Sequence, residues 1–160
     1  MLRRILVVFA LLTLLPVASH AAVFGAWGPE LGFSSGPDQI VVGGHFQVGD
    51  AAPQLDFVPG IDLGFGDNQT LVSLNGDFRY RIKMNTTWEP YAGAGIGIHF
   101  VSFDNAGPGV DESETDAGGH FIFGASVPTK SGSSFFAEIK LGMGDSPDFK
   151  AMAGWNFKRK

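Results

Sequence analysis

Thr70-Leu71-Val72-Ser73-Leu74-Asn75-Gly76-Asp77-Phe78-Arg79-Tyr80-Arg81-Ile82-Lys83 carries the clearest pattern in the chain. Val72, Leu74, Phe78, Tyr80 and Ile82 share one parity with Gly76, whereas Ser73, Asn75, Asp77, Arg79, Arg81 and Lys83 share the other. A period of two places successive side chains on opposite faces of a β-strand. One face is apolar and the other strongly polar, so a one-residue slip would exchange two incompatible environments and the register is well determined. The preceding segment behaves alike: Leu55, Phe57, Pro59, Ile61, Leu63 and Phe65 oppose Asp56, Val58, Gly60, Asp62 and Gly64.

Six further runs follow the same rule. Trp27, Leu31 and Phe33 oppose Ala26, Gly28, Glu30 and Gly32; Ile40, Val42, Phe46 and Val48 oppose Gly43, His45 and Gln47. Trp88, Ala92, Ala94, Ile96, Ile98 and Phe100 oppose Glu89, Tyr91, Gly93, Gly95, Gly97 and His99. Phe121, Phe123, Ala125 and Val127 oppose Asp116, Gly118, His120, Gly124 and Ser126. Phe135, Ala137, Ile139, Leu141 and Met143 oppose Glu138, Lys140 and Gly142, and Phe149, Ala151, Ala153, Trp155 and Phe157 oppose Lys150, Met152, Gly154 and Asn156. Turn-forming clusters separate the runs: Ser34 to Asp38, Gly49 to Pro53, Gly66 to Gln69, Asn85 to Thr87, the long acidic Asp104 to Thr115, Pro128 to Gly132, and Gly144 to Pro147. The reading is an all-β chain of eight strands with no helix-period segment after the N-terminus.

Composition narrows the class. The 160 residues include 23 Gly and no Cys, with 17% charged residues and a formal net charge of −5. Such a chain is not a disulfide scaffold, a zinc module or a charge-rich disordered segment, and its acidic balance disfavours nucleic-acid binding. The length suits one domain. At the N-terminus Arg3 and Arg4 precede the apolar run Ile5 to Leu15, followed by Pro16 and Ser19-His20-Ala21. A charged n-region, a short apolar core and a small-x-small site predict a signal peptide over residues 1–21 and a barrel domain over 22–160. The apolar run is too short to cross a bilayer as a helix.

Alternation alone does not say which face is inside. Gly60, Gly64, Gly93, Gly95, Gly97, Gly118, Gly124, Gly142 and Gly154 all fall on the polar face. Glycine weakens a strand and gains nothing against water, but it fits the narrow interior of an eight-stranded barrel. The bulky apolar set, with all three tryptophans, would overfill that space. Large aromatics also fall at strand ends: Trp27, Phe46, Tyr80, Trp88, Trp155 and Phe157 towards one rim, with Phe33, Phe65, Phe100 and Phe149 towards the other. Two such girdles are what anchoring at both membrane interfaces produces. The expected fold is an eight-stranded antiparallel up-and-down transmembrane β-barrel, apolar outwards, closed because hydrocarbon leaves no backbone group unpaired.

With these strands in view the chain resembles the small outer-membrane β-barrel proteins of Gram-negative bacteria, the OmpA/OmpX-like group. The resemblance covers Val23 to Phe157 and includes the ending Phe149-x-Ala151-x-Ala153-x-Trp155-x-Phe157, which looks like the terminal assembly signal of that class. There the aromatic is usually the last residue; here Lys158-Arg159-Lys160 follow. The resemblance implies an exported outer-membrane protein, monomeric, with membrane lipid, lipopolysaccharide and the assembly machinery as partners and no cofactor.

Inside the barrel, buried charge has to be paired. The expected lumen network comprises Glu30, Asp56, Asp62, Asp77, Arg79, Arg81, Glu89, Glu138, Lys140 and Lys150, with Lys83 and Asp116 also inward by parity. His45, His99 and His120 point inward too, but no compact Ser/His/acid spacing and no metal-ligand spacing emerges. The outer-membrane lipid deacylases on this architecture carry a close His–Ser pair on one strand face; two residues after His120 and His99 stand Ile122 and Val101. The acidic loop with Asp104, Asp111, Glu112 and Glu114 lacks the spacing of a calcium loop. The expected role is structural, interactive or narrowly permeating, and not enzymatic. The alternatives are a lipid A-modifying enzyme on the same scaffold and a secreted soluble barrel carrying an apolar ligand.

Overall fold

Each strand pairs antiparallel with its sequence neighbour, and the last returns to the first. The computed structural model describes residues 24–66, 69–103 and 113–158; the expected signal segment and the centre of the acidic loop lie outside them. The strands are β1 (Phe24–Ser35), β2 (Gln39–Ala52), β3 (Leu55–Gly66), β4 (Gln69–Arg81), β5 (Glu89–Phe103), β6 (Ser113–Pro128), β7 (Ser134–Gly144) and β8 (Phe149–Lys158). They form a closed barrel in sequence order, sealed by the β1–β8 ladder through Trp27↔Phe157, Leu31↔Ala153 and Phe33↔Ala151. No helix occurs among the described residues.

Strand bounds differ from the sequence reading in a few places. Gly49 to Pro53 is not a turn as a whole: β2 continues to Ala52, which pairs with Leu55 after a register shift beyond Val48. Four steps on β2 lie against two on β3, so the bulge absorbs two extra residues. The reversal itself is confined to Pro53 and Gln54, with Gln54 in the left-handed backbone (φ 68°) and its carbonyl accepting the Arg81 amide at 2.8 Å. β6 begins at Ser113, so the acidic loop is shorter than its composition suggests. Lys83, read as inward, lies beyond the end of β4 and is exposed.

The faces sort as alternation requires. Trp27 is 54% exposed and Ile96 74%, whereas Asp77 is 1% and Glu138 4% exposed. Apolar side chains point outwards around the circumference and ionised ones point in, the reverse of a water-soluble barrel. Aromatic contacts group at the two ends. Trp27 meets Phe157 (5.4 Å between ring centroids) and Phe135 meets Trp155 (5.2 Å) at the end that holds both barrel termini, while Phe33 meets Phe149 (5.9 Å) at the other. We call these the terminal end and the loop end.

The interior also contains apolar side chains that the polar pattern obscured. Val41, Val58, Ile122, Phe136 and Met152 are buried in it, Phe136 being the largest fully buried side chain. A Cβ at Gly154 would sit 2.8 Å from the Phe136 ring, so this glycine is the space that the phenylalanine fills.

Candidate functional site

Glycine on the lumen face does more than reduce bulk. Tyr91 on β5 pairs with Gly124 on β6, which pairs with Glu138 on β7. With no side chain between them, the Tyr91 hydroxyl reaches over Gly124 and donates to Glu138 Oε2 at 2.7 Å. Asp77 on β4 and His120 on β6 meet in the same way across Gly95 on β5, His120 Nε2 to Asp77 Oδ1 being 2.8 Å. His45 on β2 crosses Gly28 on β1 to reach Asn156 on β8, Nε2 to Oδ1 2.6 Å. Cross-strand contacts ordinarily join neighbouring strands; here glycine lets them join alternate ones.

These contacts frame a central quartet of two carboxylates and two cations. Lys140 Nζ donates to Asp77 Oδ2 at 2.8 Å and lies 3.6 Å from Glu138 Oε1. Arg79 Nη2 donates to Glu138 Oε1 at 3.1 Å and to Asp77 Oδ2 at 3.4 Å, and its guanidinium packs over the rings of Tyr91 and Phe136. All four side chains are buried. The quartet is neutral as a unit, the condition under which buried charges persist as ions.

Smaller groups flank it. Asp62 Oδ2 accepts from Lys150 Nζ at 3.1 Å and from Asn75 Nδ2 at 2.8 Å, linking β3, β8 and β4. Asp56 Oδ2 accepts from Gln47 Nε2 at 2.7 Å and faces Arg81 Nε at 3.1 Å, where the arginine is partly exposed. Glu30 faces His45 Nδ1 at 3.2 Å. His99 is held between two hydroxyls, Nδ1 to Ser73 Oγ at 2.8 Å and Nε2 to Ser146 Oγ at 3.1 Å.

The structure thus brings Asp77, Arg79, Glu138 and Lys140 together, Asp62 with Lys150, Asp56 with Arg81, and Glu30 with a histidine. Glu89 departs from the expectation. It is the first residue of β5, where the strand clears the barrel wall, and it is exposed at the mouth with no ion pair among the described residues. Asp116 is half-buried opposite His99 near the loop end. Tyr91, Gln47, Asn75, Asn156 and Ser146 join the network without having been singled out for it. Parity marks the first four as inward; Gln47 and Asn75 find carboxylates on the neighbouring β3, Tyr91 reaches across β6, and Asn156 meets His45 because the barrel closes.

Two cavities bound the network. A vestibule of about 160 Å³ opens at the terminal end, with His45, Arg79 and Tyr91 deep within it and Glu89, Ser134 and Lys158 among its lining. At the loop end a chamber of about 10 Å³ is lined by Asn75, His99, His120, Lys140, Ser146, Pro147 and Lys150. Among the described residues no group of three or more His, Cys, Asp or Glu side chains is placed to hold a metal ion. The acidic-loop residues Asp104, Asp111 and Glu112 lie outside the described residues.

No family model and no curated sequence matches the chain. Solved structures do. Neisserial surface protein A superposes with a TM-score of 0.67 at 14% identity, over 85% of this chain and 96% of that one. The N-terminal β-barrel domain of Pseudomonas aeruginosa OprF gives 0.63 at 13% identity, over 85% and 98%. The Yersinia pestis outer membrane protein Ail gives 0.52 at 10% identity, over 84% and 99%. The fold of this chain is therefore that of the small eight-stranded outer-membrane β-barrel proteins.

Proposed function

We propose that the protein is an integral outer-membrane barrel whose interior is closed by its own ion pairs, and that it serves a structural or interaction role rather than that of a wide pore. One observation carries this reading: the surface is apolar around the circumference while the quartet of Asp77, Arg79, Glu138 and Lys140 fills the middle of the lumen. An apolar belt of that extent is stable in hydrocarbon and would aggregate in water. Paired charges crossing the barrel axis leave no continuous aqueous path, in keeping with the narrow interior of eight strands. A soluble carrier of apolar ligands would need the opposite polarity inside. For a lipid-modifying enzyme, the histidine–serine contacts would have to meet lipid, whereas Ser73 and His99 are shut inside the wall.

Export by the N-terminal segment, monomeric state and recognition of the β8 ending by the assembly machinery belong to the same proposal. The test is membrane fractionation followed by gel mobility with and without boiling, and then planar-bilayer recording. Detergent-extractable protein with heat-modifiable mobility and no steady large conductance is the expected result. Recovery in the aqueous fraction, or sustained large steps, would contradict the proposal.

A further inference from the structure

The β7–β8 turn, residues 145–148, looks from its composition like an ordinary surface reversal, yet part of it is buried. Ser146 is only 7% exposed and Pro147 is buried, whereas Gly36 and Asp38 of the β1–β2 turn at the same end are exposed. The chain folds inward here because the lumen wall beneath it is glycine. A Cβ on Gly118 would lie 2.5 Å from both the amide nitrogen and Oγ of Ser146, and one on Gly142 would overlap the Pro147 carbonyl. Gly144 enters the turn with φ +70°, a conformation that side chains disfavour, and the Gly142 amide donates to the Asp148 carbonyl at 2.9 Å. Ser146 then crosses the mouth to His99 on β5, and His99 is anchored in turn to Ser73 on β4. Beneath the turn lies the 10 Å³ chamber, with room for about one water molecule.

We propose that the β7–β8 turn is a stopper seated in the loop end of the barrel, so that solvent enters the lumen from the vestibule at the terminal end and is held off the Lys140–Lys150–His120 region from the other side. Gly118 and Gly142 make the seat, Pro147 fills it, and the Ser146–His99 hydrogen bond latches it. Unseating the turn opens the chamber directly to the loop-end solvent. The proposal concerns the barrel itself and stands whatever its cellular role.

The chain has no cysteine, so single cysteines report accessibility cleanly. Asn75→Cys places a thiol on the chamber wall, where Lys150 still neutralises Asp62; Ser126→Cys places one in the vestibule. In the purified folded barrel, a small cationic methanethiosulfonate should modify the chamber thiol at least about tenfold more slowly than the vestibule thiol, as expected for a site reached through local opening. Adding Gly142→Val should remove most of that difference and leave the Ser126→Cys rate unchanged. Gly76→Ala, whose Cβ would meet the Phe57 ring at an ordinary 3.5 Å on the outer face, should change neither rate. Folding is checked for each variant by heat-modifiable mobility. If Gly142→Val does not fold, Gly118→Ala applies the same displacement. Equal reaction of the two thiols with the turn intact overturns the stopper, as does a chamber thiol that stays protected once the turn is displaced in a folded barrel.

Discussion

Replacing Asp77 with asparagine tests the central quartet with little change of shape. Asp77 is 1% exposed and accepts from Lys140 at 2.8 Å and His120 at 2.8 Å, with Arg79 at 3.4 Å. The amide left in its place converts a neutral group of four charges into one carrying an excess positive charge. Removing one member of a buried pair costs about 3–5 kcal/mol. The lower end applies here, about 3 kcal/mol, because Lys140 retains Glu138 at 3.6 Å. Adding Lys140→Met restores neutrality, leaving Arg79 with Glu138, so the double variant should recover about 2 kcal/mol relative to the sum of the single effects. Glu89→Gln, at the exposed mouth, should change stability by less than about 0.5 kcal/mol. The assay is urea unfolding in lipid vesicles followed by tryptophan fluorescence and extrapolated linearly to water. A loss below about 1 kcal/mol for Asp77→Asn, or additive effects in the double variant, would refute the claim that these charges stabilise the barrel as a coupled unit.

Tyr91→Phe keeps the ring beneath Arg79 but leaves Glu138 without its 2.7 Å hydroxyl donor, and should cost about 1–3 kcal/mol in the same unfolding assay. Gly95→Val would drive a side chain into the Asp77–His120 contact and should reduce the folded fraction on semi-native gels, whereas Gly76→Ala should leave it unchanged. Ile96→Lys, at the most exposed of the large apolar positions on the outer wall, should cost about 2–4 kcal/mol in bilayers, whereas Thr87→Lys in the exposed β4–β5 turn should change stability by less than about 0.5 kcal/mol. An equally small effect at both positions would mean that the Ile96 face does not meet hydrocarbon.

Much of the fold was legible because period-two alternation states which face a residue occupies. Thr70 to Lys83 shows this most clearly: every alternate residue from Ser73 to Arg79 is buried, as its parity requires. Parity does not state depth. Glu89 and Asp77 look equivalent in sequence, but one sits where a strand leaves the wall and the other at mid-barrel. Nor does parity state partners. Tyr91 and Glu138 are 47 residues apart and meet through the registers of two successive hairpins, while Asp62 and Lys150 are 88 apart and meet only because the barrel closes, so neither contact follows from local pattern. Proline and glycine misled at Gly49 to Pro53, where a bulge continues the strand that their presence seemed to end. At Ser146 turn chemistry correctly signalled a reversal, but nothing local indicated that the reversal folds inward.

The glycine windows and the long pairings have a consequence for assembly. Asp62 on β3 receives its lysine from β8, Glu138 on β7 receives its arginine from β4, and His45 on β2 finds its amide on β8. A sheet of three or four strands, however well its backbone is bonded, therefore holds orphaned ions that only strands not yet in place can neutralise. Such an intermediate cannot rest in oil. Hairpins entering one by one would each carry bare charge into hydrocarbon, so closing the ring, which brings Lys150 of β8 to Asp62, lifts a penalty that every partial sheet bears.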